Sequence, residues 1–313
     1  MDLFWFRMFA AFSMFISAVL GLFFNVLVIL ALQSPKKLGG IFKICIAKSI
    51  SNIIICVGFL VWPIPIAILN YYFLPQQFNV FMGQIVGWFA ITLAPLTQVL
   101  LAGNRLIAVY FPQTFGNNYK ISPTSIGISI AFFVASIAAI AGFFDGCHFL
   151  FMIESLGWTS ENSACAILLS NMFTIVVFSM AFVSNSLNIA TFFKLFYDSK
   201  KANISNNEVS NRRSKNRRML LQSVLHDLLI LIDMCNAIFI CQLSNSIWVQ
   251  FLTLSFSMVF IRMLEGLAML LINVRIRNGA LKILKIRKKQ IGTTRQSSQQ
   301  SIGNQPAVMF KKV

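Results

Sequence analysis

From residue 49 to residue 104 the chain runs without a single Lys, Arg, Asp or Glu. A bilayer core takes about 20 apolar residues per helix, so a charge-free run of this length crosses once, reverses and crosses again. The reversal falls at Asn70-Tyr71-Tyr72-Phe73-Leu74-Pro75-Gln76-Gln77, where Asn and Pro favour a turn and the tyrosines suit a membrane interface. Residues 8–33, 121–144 and 162–193 are likewise uncharged, and two apolar segments near 219–243 and 247–273 carry a few embedded charges. The expected fold is an all-α membrane protein, a bundle of seven transmembrane helices at about 8–33, 49–69, 80–104, 122–146, 164–193, 219–243 and 247–273. Residues 1–290 form one seven-helix domain in this reading, and 291–313, rich in Gln, Ser and Thr, a disordered tail.

Only 11 % of the residues are charged and the mean hydropathy is +0.75, against about 25 % charged in a soluble domain. The net charge of +17 would point to nucleic acid in a soluble protein. Here its distribution decides otherwise. With the N-terminus outside, 24 of the 26 basic residues fall on the cytoplasmic side. They include Lys36, Lys37, Lys43 and Lys48 in the first inner loop, eight between 194 and 218, and ten after 273. The exterior segments 70–79, 154–163 and 244–246 have none, leaving Arg7 in the outer tail and Arg262 in span seven. The positive-inside rule therefore predicts N-outside and C-inside, with the first span serving as its own signal and anchor. Partners are anionic inner-leaflet lipids rather than nucleic acid.

Enzymatic motifs are lacking, and His148 and His226 are the only histidines; neither an enzyme, nor a cofactor, nor a metal is expected. Two Gly-x-x-x-Gly matches, Gly83 to Gly87 and Gly142 to Gly146, are read as chance in a chain with 16 glycines. Cys147 and Cys165 bracket the second exterior loop on the oxidising side. A disulfide there would pin the outer ends of spans four and five; two free buried thiols are the alternative. Asn203-Ile204-Ser205 falls in an inner loop and should carry no glycan.

Charges inside the membrane are costly and face partners or a cavity. Asp227 and Asp233 in span six and Arg262 and Glu265 in span seven lie at compatible depths. Arg262 is expected to bridge to Asp227 or Asp233, as a structural clasp or as a latch that ligand rearranges, while Glu265 shares its face at i to i+3. Pro63 and Pro65 in span two and Pro95 in span three kink their helices and open space toward the outer half. Trp62, Trp88, Phe89, Asp145, His148 and Trp158 are candidate lining or rim residues for a small, fairly apolar ligand; lipid-facing or packing roles are the alternative for each.

Asn104-Arg105 closes span three, followed by Ala108-Val109-Tyr110-Phe111-Pro112. Seven N-outside helices with such a pair resemble the rhodopsin-like G-protein-coupled receptors. Within them, Gly21-Leu22-Phe23-Phe24-Asn25, the run from Gly146-Cys147 through Trp158 to Cys165, and Leu221-Gln222-Ser223-Val224-Leu225-His226-Asp227 with Asp233 resemble the nematode serpentine chemoreceptors of class X. The likeness spans roughly residues 20 to 280. It implies a plasma-membrane receptor, at the sensory cilium of a chemosensory neuron, for a small chemical ligand. Coupling to a heterotrimeric G protein would run through Asn104, Arg105, Tyr110 and the basic loop ending in Arg217 and Arg218. Departures are equally specific. Asn104 stands where the motif has an acid, no cysteine lies near Gly83-Gln84, and Asn273 ends span seven without Pro-x-x-Tyr. A ligand-gated channel or transporter subunit is the alternative function, opposed by the orientation, the odd span count and the lack of a polar stripe. After span seven, Ala280-Leu281-Lys282-Ile283-Leu284-Lys285-Ile286-Arg287-Lys288-Lys289 is expected to lie on the inner leaflet as a basic amphipathic helix.

Overall fold

The computed structural model describes residues 3–33, 39–111, 123–201 and 207–284. Seven helices in it are long and apolar enough to cross a membrane: Leu3–Leu32, Gly40–Leu69, Gln76–Tyr110, Pro123–Ala141, Ala164–Tyr197, Arg217–Gln242 and Ile247–Ile272. These are spans one to seven. Span one packs on two and seven, span five on three and six, and span three touches spans two, four, five and six. The bundle is therefore closed around span three. The tail from 285, the acceptor sequence at 203–205 and the Pro112 end of the span-three motif lie outside the described residues.

Several boundaries depart from the sequence reading: span three runs Gln76–Tyr110 and span five reaches Tyr197, and three further departures bear on the site. Span one begins at Leu3, so Arg7 is helical and buried, and its Nη1 donates to Asn70 Oδ1 at the far end of span two. Span two begins at Gly40, because nothing between Gly39 and Trp62 breaks a helix and lysines are good helix formers; Lys48 accordingly belongs to the bundle interior and not to a loop. Span four ends at Ala141, short of 146, where Gly142 follows and Gly146 takes a left-handed φ of 75°.

Prolines act as expected on span two. Its helix breaks at Trp62 and restarts at Pro63, and Asn70 ends it in the left-handed region at φ 62°. Two spans also widen into π-helix, Gly83–Phe89 in span three and Phe251–Phe256 in span seven. Such segments recur at functional sites because they displace side chains from the α-helical register.

The loop between spans four and five folds into an antiparallel hairpin, β1 Phe149–Met152 and β2 Gly157–Ser160, with Phe149 opposite Ser160 and Met152 opposite Gly157. It drops onto span three. A Cβ at Gly83 would strike the Phe149 carbonyl, and one at Gly87 the Phe149 ring. The Gly83–Gly87 pair is thus a seat for a strand. Asn79 ties the seat together: its side chain accepts from Phe151 N (3.0 Å) and Trp62 Nε1 (2.8 Å) and donates to Phe151 O (3.1 Å). Around it Phe6, Phe59, Trp62, Phe151, Trp158 and Phe251 form the core at the hairpin end, while Leu27, Leu32, Phe42, Met269 and Ile276 form a second core at the opposite end.

The helix after span seven runs Val274–Ile283, earlier than expected, because Asn273 caps it by accepting from Arg275 N and Ile276 N. Ile276 and Ala280 are its buried stripe, packed against the C-terminal end of span one.

Candidate functional site

Five ionisable side chains from three helices converge inside the bundle. Arg262 Nη2 lies 2.6 Å from Asp233 Oδ2, and its Nη1 3.2 Å from Glu265 Oε2. The second Glu265 oxygen, Oε1, faces Lys48 Nζ at 2.9 Å and His226 Nδ1 at 3.6 Å. With His226 neutral, two cations balance two carboxylates. A buried charge left alone costs several kcal/mol, and a closed set is tolerable only while it is complete. Lys48 also donates to Gln98 Oε1 (3.2 Å), and Gln98 Nε2 donates to the carbonyl and hydroxyl of Ser223 (3.0 and 3.2 Å). Spans two, three, six and seven are thereby joined through polar atoms alone.

Neighbours hold the cluster in register. Ser257 Oγ donates to Asp233 Oδ1 (3.1 Å), and Asn236 Nδ2 to Ser257 Oγ (2.9 Å). Asn25 Nδ2 donates to the carbonyls of Gly21 (2.8 Å) and Arg262 (3.1 Å), and Asn25 Oδ1 accepts from Asn52 Nδ2 (3.1 Å). Close approach is needed there, since a Cβ on Gly266 would come within 2.7 Å of Asn25 Nδ2.

Of the two partners within expected reach, Arg262 takes Asp233. Asp227 points the other way, to Ser184 Oγ (2.8 Å) and Asn188 Nδ2 on span five. Lys48, His226, Gln98 and Ser223 are members of the network that the sequence reading does not place there. A signal for Lys48 did exist: three carboxylates inside spans six and seven against one arginine leave a negative excess, and Lys48 borders a charge-free run.

A cavity of about 310 Å³ opens between spans three, five, six and seven under the hairpin. Trp88, Ile91, Phe149, Trp158, Phe173, Met234 and Leu254 form its apolar wall, and Ser160 and Ser170, 2.5 Å apart, its polar one. Of the six candidate lining residues, Trp88 and Trp158 line it. Trp62 is buried elsewhere, bonded to Asn79, and Phe89 packs against Phe132 on span four. Asp145 is exposed, and His148 Nδ1 pairs with the Gly142 carbonyl at 3.1 Å. Helix breakage at Gly142 removes both from the bundle. Cys147 and Cys165 are joined in a disulfide with Cα atoms 5.0 Å apart, which anchors the hairpin to the head of span five.

At the opposite, basic end, Arg105 is 3 % exposed and none of its guanidinium nitrogens has a hydrogen-bond partner. Asn104 accepts from Thr124 on span four (3.4 Å), and Lys194 sits over the Tyr110 ring at 5.8 Å. Arg217 and Arg218 are exposed on the first turn of span six.

The fold is that of squid rhodopsin, whose crystal structure superposes with a TM-score of 0.74 over 90 % of this chain and 86 % of that one, at 9 % identity. No curated protein matches the chain. Its sequence matches the family described as serpentine type 7TM GPCR chemoreceptor Srx over residues 15–273, most of its length. With seven apolar helices, a rhodopsin fold and that match in hand, the chain belongs to the Srx family of serpentine chemoreceptors, a multi-pass membrane receptor and not an enzyme.

Proposed function

We propose that the chain lies in the plasma membrane, at the sensory cilium of a chemosensory neuron, with its N-terminus outside and its C-terminus inside. In this reading a small, uncharged, largely apolar chemical enters the cavity under the hairpin. Occupancy then passes to a heterotrimeric G protein at the basic end, where Asn104, Arg105, Tyr110, Arg217 and Arg218 form the contact surface.

The observation that carries the proposal is adjacency along two helices. Met234 lines the cavity, and the preceding residue, Asp233, pairs with Arg262. Leu254 lines it from span seven, one turn before Ser257, which donates to Asp233. A ligand pressing on Met234 or Leu254 acts on a closed charge cluster, which has discrete arrangements and not a continuum. A ligand shifts such an element by its difference in affinity for the two states, and Arg262 serves as the latch. None of the cavity's wall residues is an acid, lysine, arginine or histidine, so a charged ligand would lose its hydration without compensation.

A panel of volatile and apolar chemicals, read out by nucleotide exchange on a G protein, tests the reading. Ala237→Phe, which fills the cavity from span six, should abolish the response while surface expression persists. A ligand-evoked current that survives without any G protein would favour the channel alternative and overturn this one. Epitope tags at both ends test the orientation: an N-terminal tag that stains only after permeabilisation contradicts it.

A further inference from the structure

His226 of span six is 0 % exposed, and neither nitrogen of its ring has a hydrogen-bond partner. A neutral imidazole carries one donor and one acceptor, and buried polar groups are rarely left unmade without a reason. The surroundings of the ring supply one. Its Nδ1 lies 3.6 Å from Glu265 Oε1, the same oxygen that faces Lys48 Nζ at 2.9 Å. That oxygen accepts no hydrogen bond, so Lys48 holds it by charge alone. One carboxylate oxygen thus stands between two nitrogens from different helices.

A second buried acceptor lies one turn away. Gln222 precedes His226 by four residues on the same helix, where side chains are neighbours, and it is 1 % exposed with both amide atoms unpaired. An imidazolium carries two donors. Glu265 Oε1 and the Gln222 amide oxygen are two orphaned acceptors for them.

The charged groups that act on the ring are Lys48 of span two, Arg105 of span three and Glu265 of span seven. Asp227, the next residue on its own helix, turns to Ser184 and Asn188 of span five, neither of which titrates. Two cations and one shared carboxylate therefore surround the ring, and it has a counter-ion of its own only if Lys48 gives up Glu265.

We propose that His226 is a binding site for one proton, which competes with Lys48 for Glu265. The ring gains the proton and a positive charge, its Nδ1–H donates to Glu265 Oε1, and Lys48 withdraws onto Gln98, to which it already donates at 3.2 Å. Arg262 keeps the other oxygen of Glu265. Span two is then released from span seven. Gln222 lines a cavity of about 470 Å³ at the basic end, which brings water to within one helical turn of the ring. Because linkage is reciprocal, acid favours the released arrangement and whatever releases it favours proton uptake. The proton site stands by itself; its effect on signalling rests on the proposed coupling to a G protein.

Lys48→Met leaves Asp233 and Glu265 against Arg262, a buried negative excess that a proton must neutralise. The purified full chain carrying it, in nanodiscs, should melt higher at about pH 5.5 than at about pH 7.5, on either side of the ordinary histidine value. The sign is that of a histidine gaining a carboxylate partner: the stabilisation is present in acid and lost as pH rises. Lys48→Met with His226→Gln should lose this acid recovery. Recovery that persists in the double variant assigns the proton to a carboxylate and overturns the inference. If Lys48→Met folds too poorly to melt, Lys48→Met with His226→Lys supplies a fixed cation and should recover folded yield where His226→Gln does not; equal yields overturn the inference as well.

Carbon-13 histidine NMR reads the proton directly. The chain has two histidines, so His148→Gln leaves one ring signal. That signal should stay neutral over the same range with Lys48 in place, since the released arrangement is then a minor population, and become charged in acid once Lys48→Met is added. A ring that stays neutral in both sinks the proposal. Basal nucleotide exchange on a G protein should rise on acidification, by no more than about tenfold per pH unit for a single proton, and His226→Gln should flatten the rise; an equal rise in the variant contradicts the site. Exchange absent at every pH would count against the proposed coupling, while the melting curves and the ring signal still decide the proton site.

Discussion

Lys48 of span two and Glu265 of span seven meet at 2.9 Å with 1 % and 0 % of their side chains exposed. Neither can reach water, and Glu265 faces Lys48 with one oxygen and Arg262 with the other. Removing one partner of such a pair costs roughly 3–5 kcal/mol. Lys48→Met should therefore lower the melting temperature of the purified protein sharply. Lys48→Met with Glu265→Gln should lose clearly less than the two single losses added together, because the Arg262–Asp233 pair stays balanced. Additive losses in the melting curves would contradict the coupling.

The choice of Asp233 over Asp227 by Arg262 makes a charge swap decisive. Arg262→Glu places three carboxylates around one lysine and should abolish surface expression. Adding Asp233→Arg restores a cation at the same point, 2.6 Å from the original one, and should recover part of the expression. Adding Asp227→Arg should not, since Asp227 faces span five. Flow cytometry of tagged receptors reads all three.

Two glycines of span three should respond oppositely to alanine. Gly83→Ala puts a Cβ into the Phe149 carbonyl and should lift the hairpin, with loss of folded yield. At Gly103 nothing lies within 4 Å of the added carbon, and glycine in a helix costs about 1 kcal/mol relative to alanine. Gly103→Ala should raise the melting temperature.

The Cys147–Cys165 bond closes a loop with a sequence separation of 18. A link over such a loop stabilises by about 3 kcal/mol in the chain-entropy account. Paired serine substitutions should lower the melting temperature to that of the reduced wild type, and reductant should then have no further effect on the variant.

Tyr72 hydroxyl donates to Phe151 O (3.0 Å) and accepts from Ile153 N (3.1 Å), so it clamps the hairpin from outside. Burial raises its phenol above the ordinary tyrosine value, with Glu154 adding to the rise and the Ile153 N–H opposing it. The neutral form is thus the one the fold favours. Its contribution is complete below the unfolded pKa and is lost as pH climbs through the raised folded value. Tyr72→Phe should remove that alkaline loss from a pH series of melting curves, together with about 1 kcal/mol of stability at neutral pH.

The span count was legible because it is a matter of length and transfer free energy along the chain. Charge-free runs such as 49–104 leave no other solvent for the backbone than a bilayer, and helices are what satisfy it there. The Asn70 reversal, the kink at Pro63 and the presence of a charge bridge at Arg262 followed from local chemistry in the same way. Lys48 did not, because a lysine near a helix end obeys the positive-inside pattern whether it faces water or a carboxylate on another span. Only the packing of span two on span seven decides between them. Likewise Trp62 and Trp158 look alike in sequence, yet Asn79 claims the first for the core and the hairpin delivers the second to the cavity. Sequence alone determined how many helices there are and which segments cross. The partner of each buried charge, and the seat of the hairpin on Gly83 and Gly87, were decided by tertiary structure, since those contacts join residues tens to hundreds of positions apart and no local propensity encodes them.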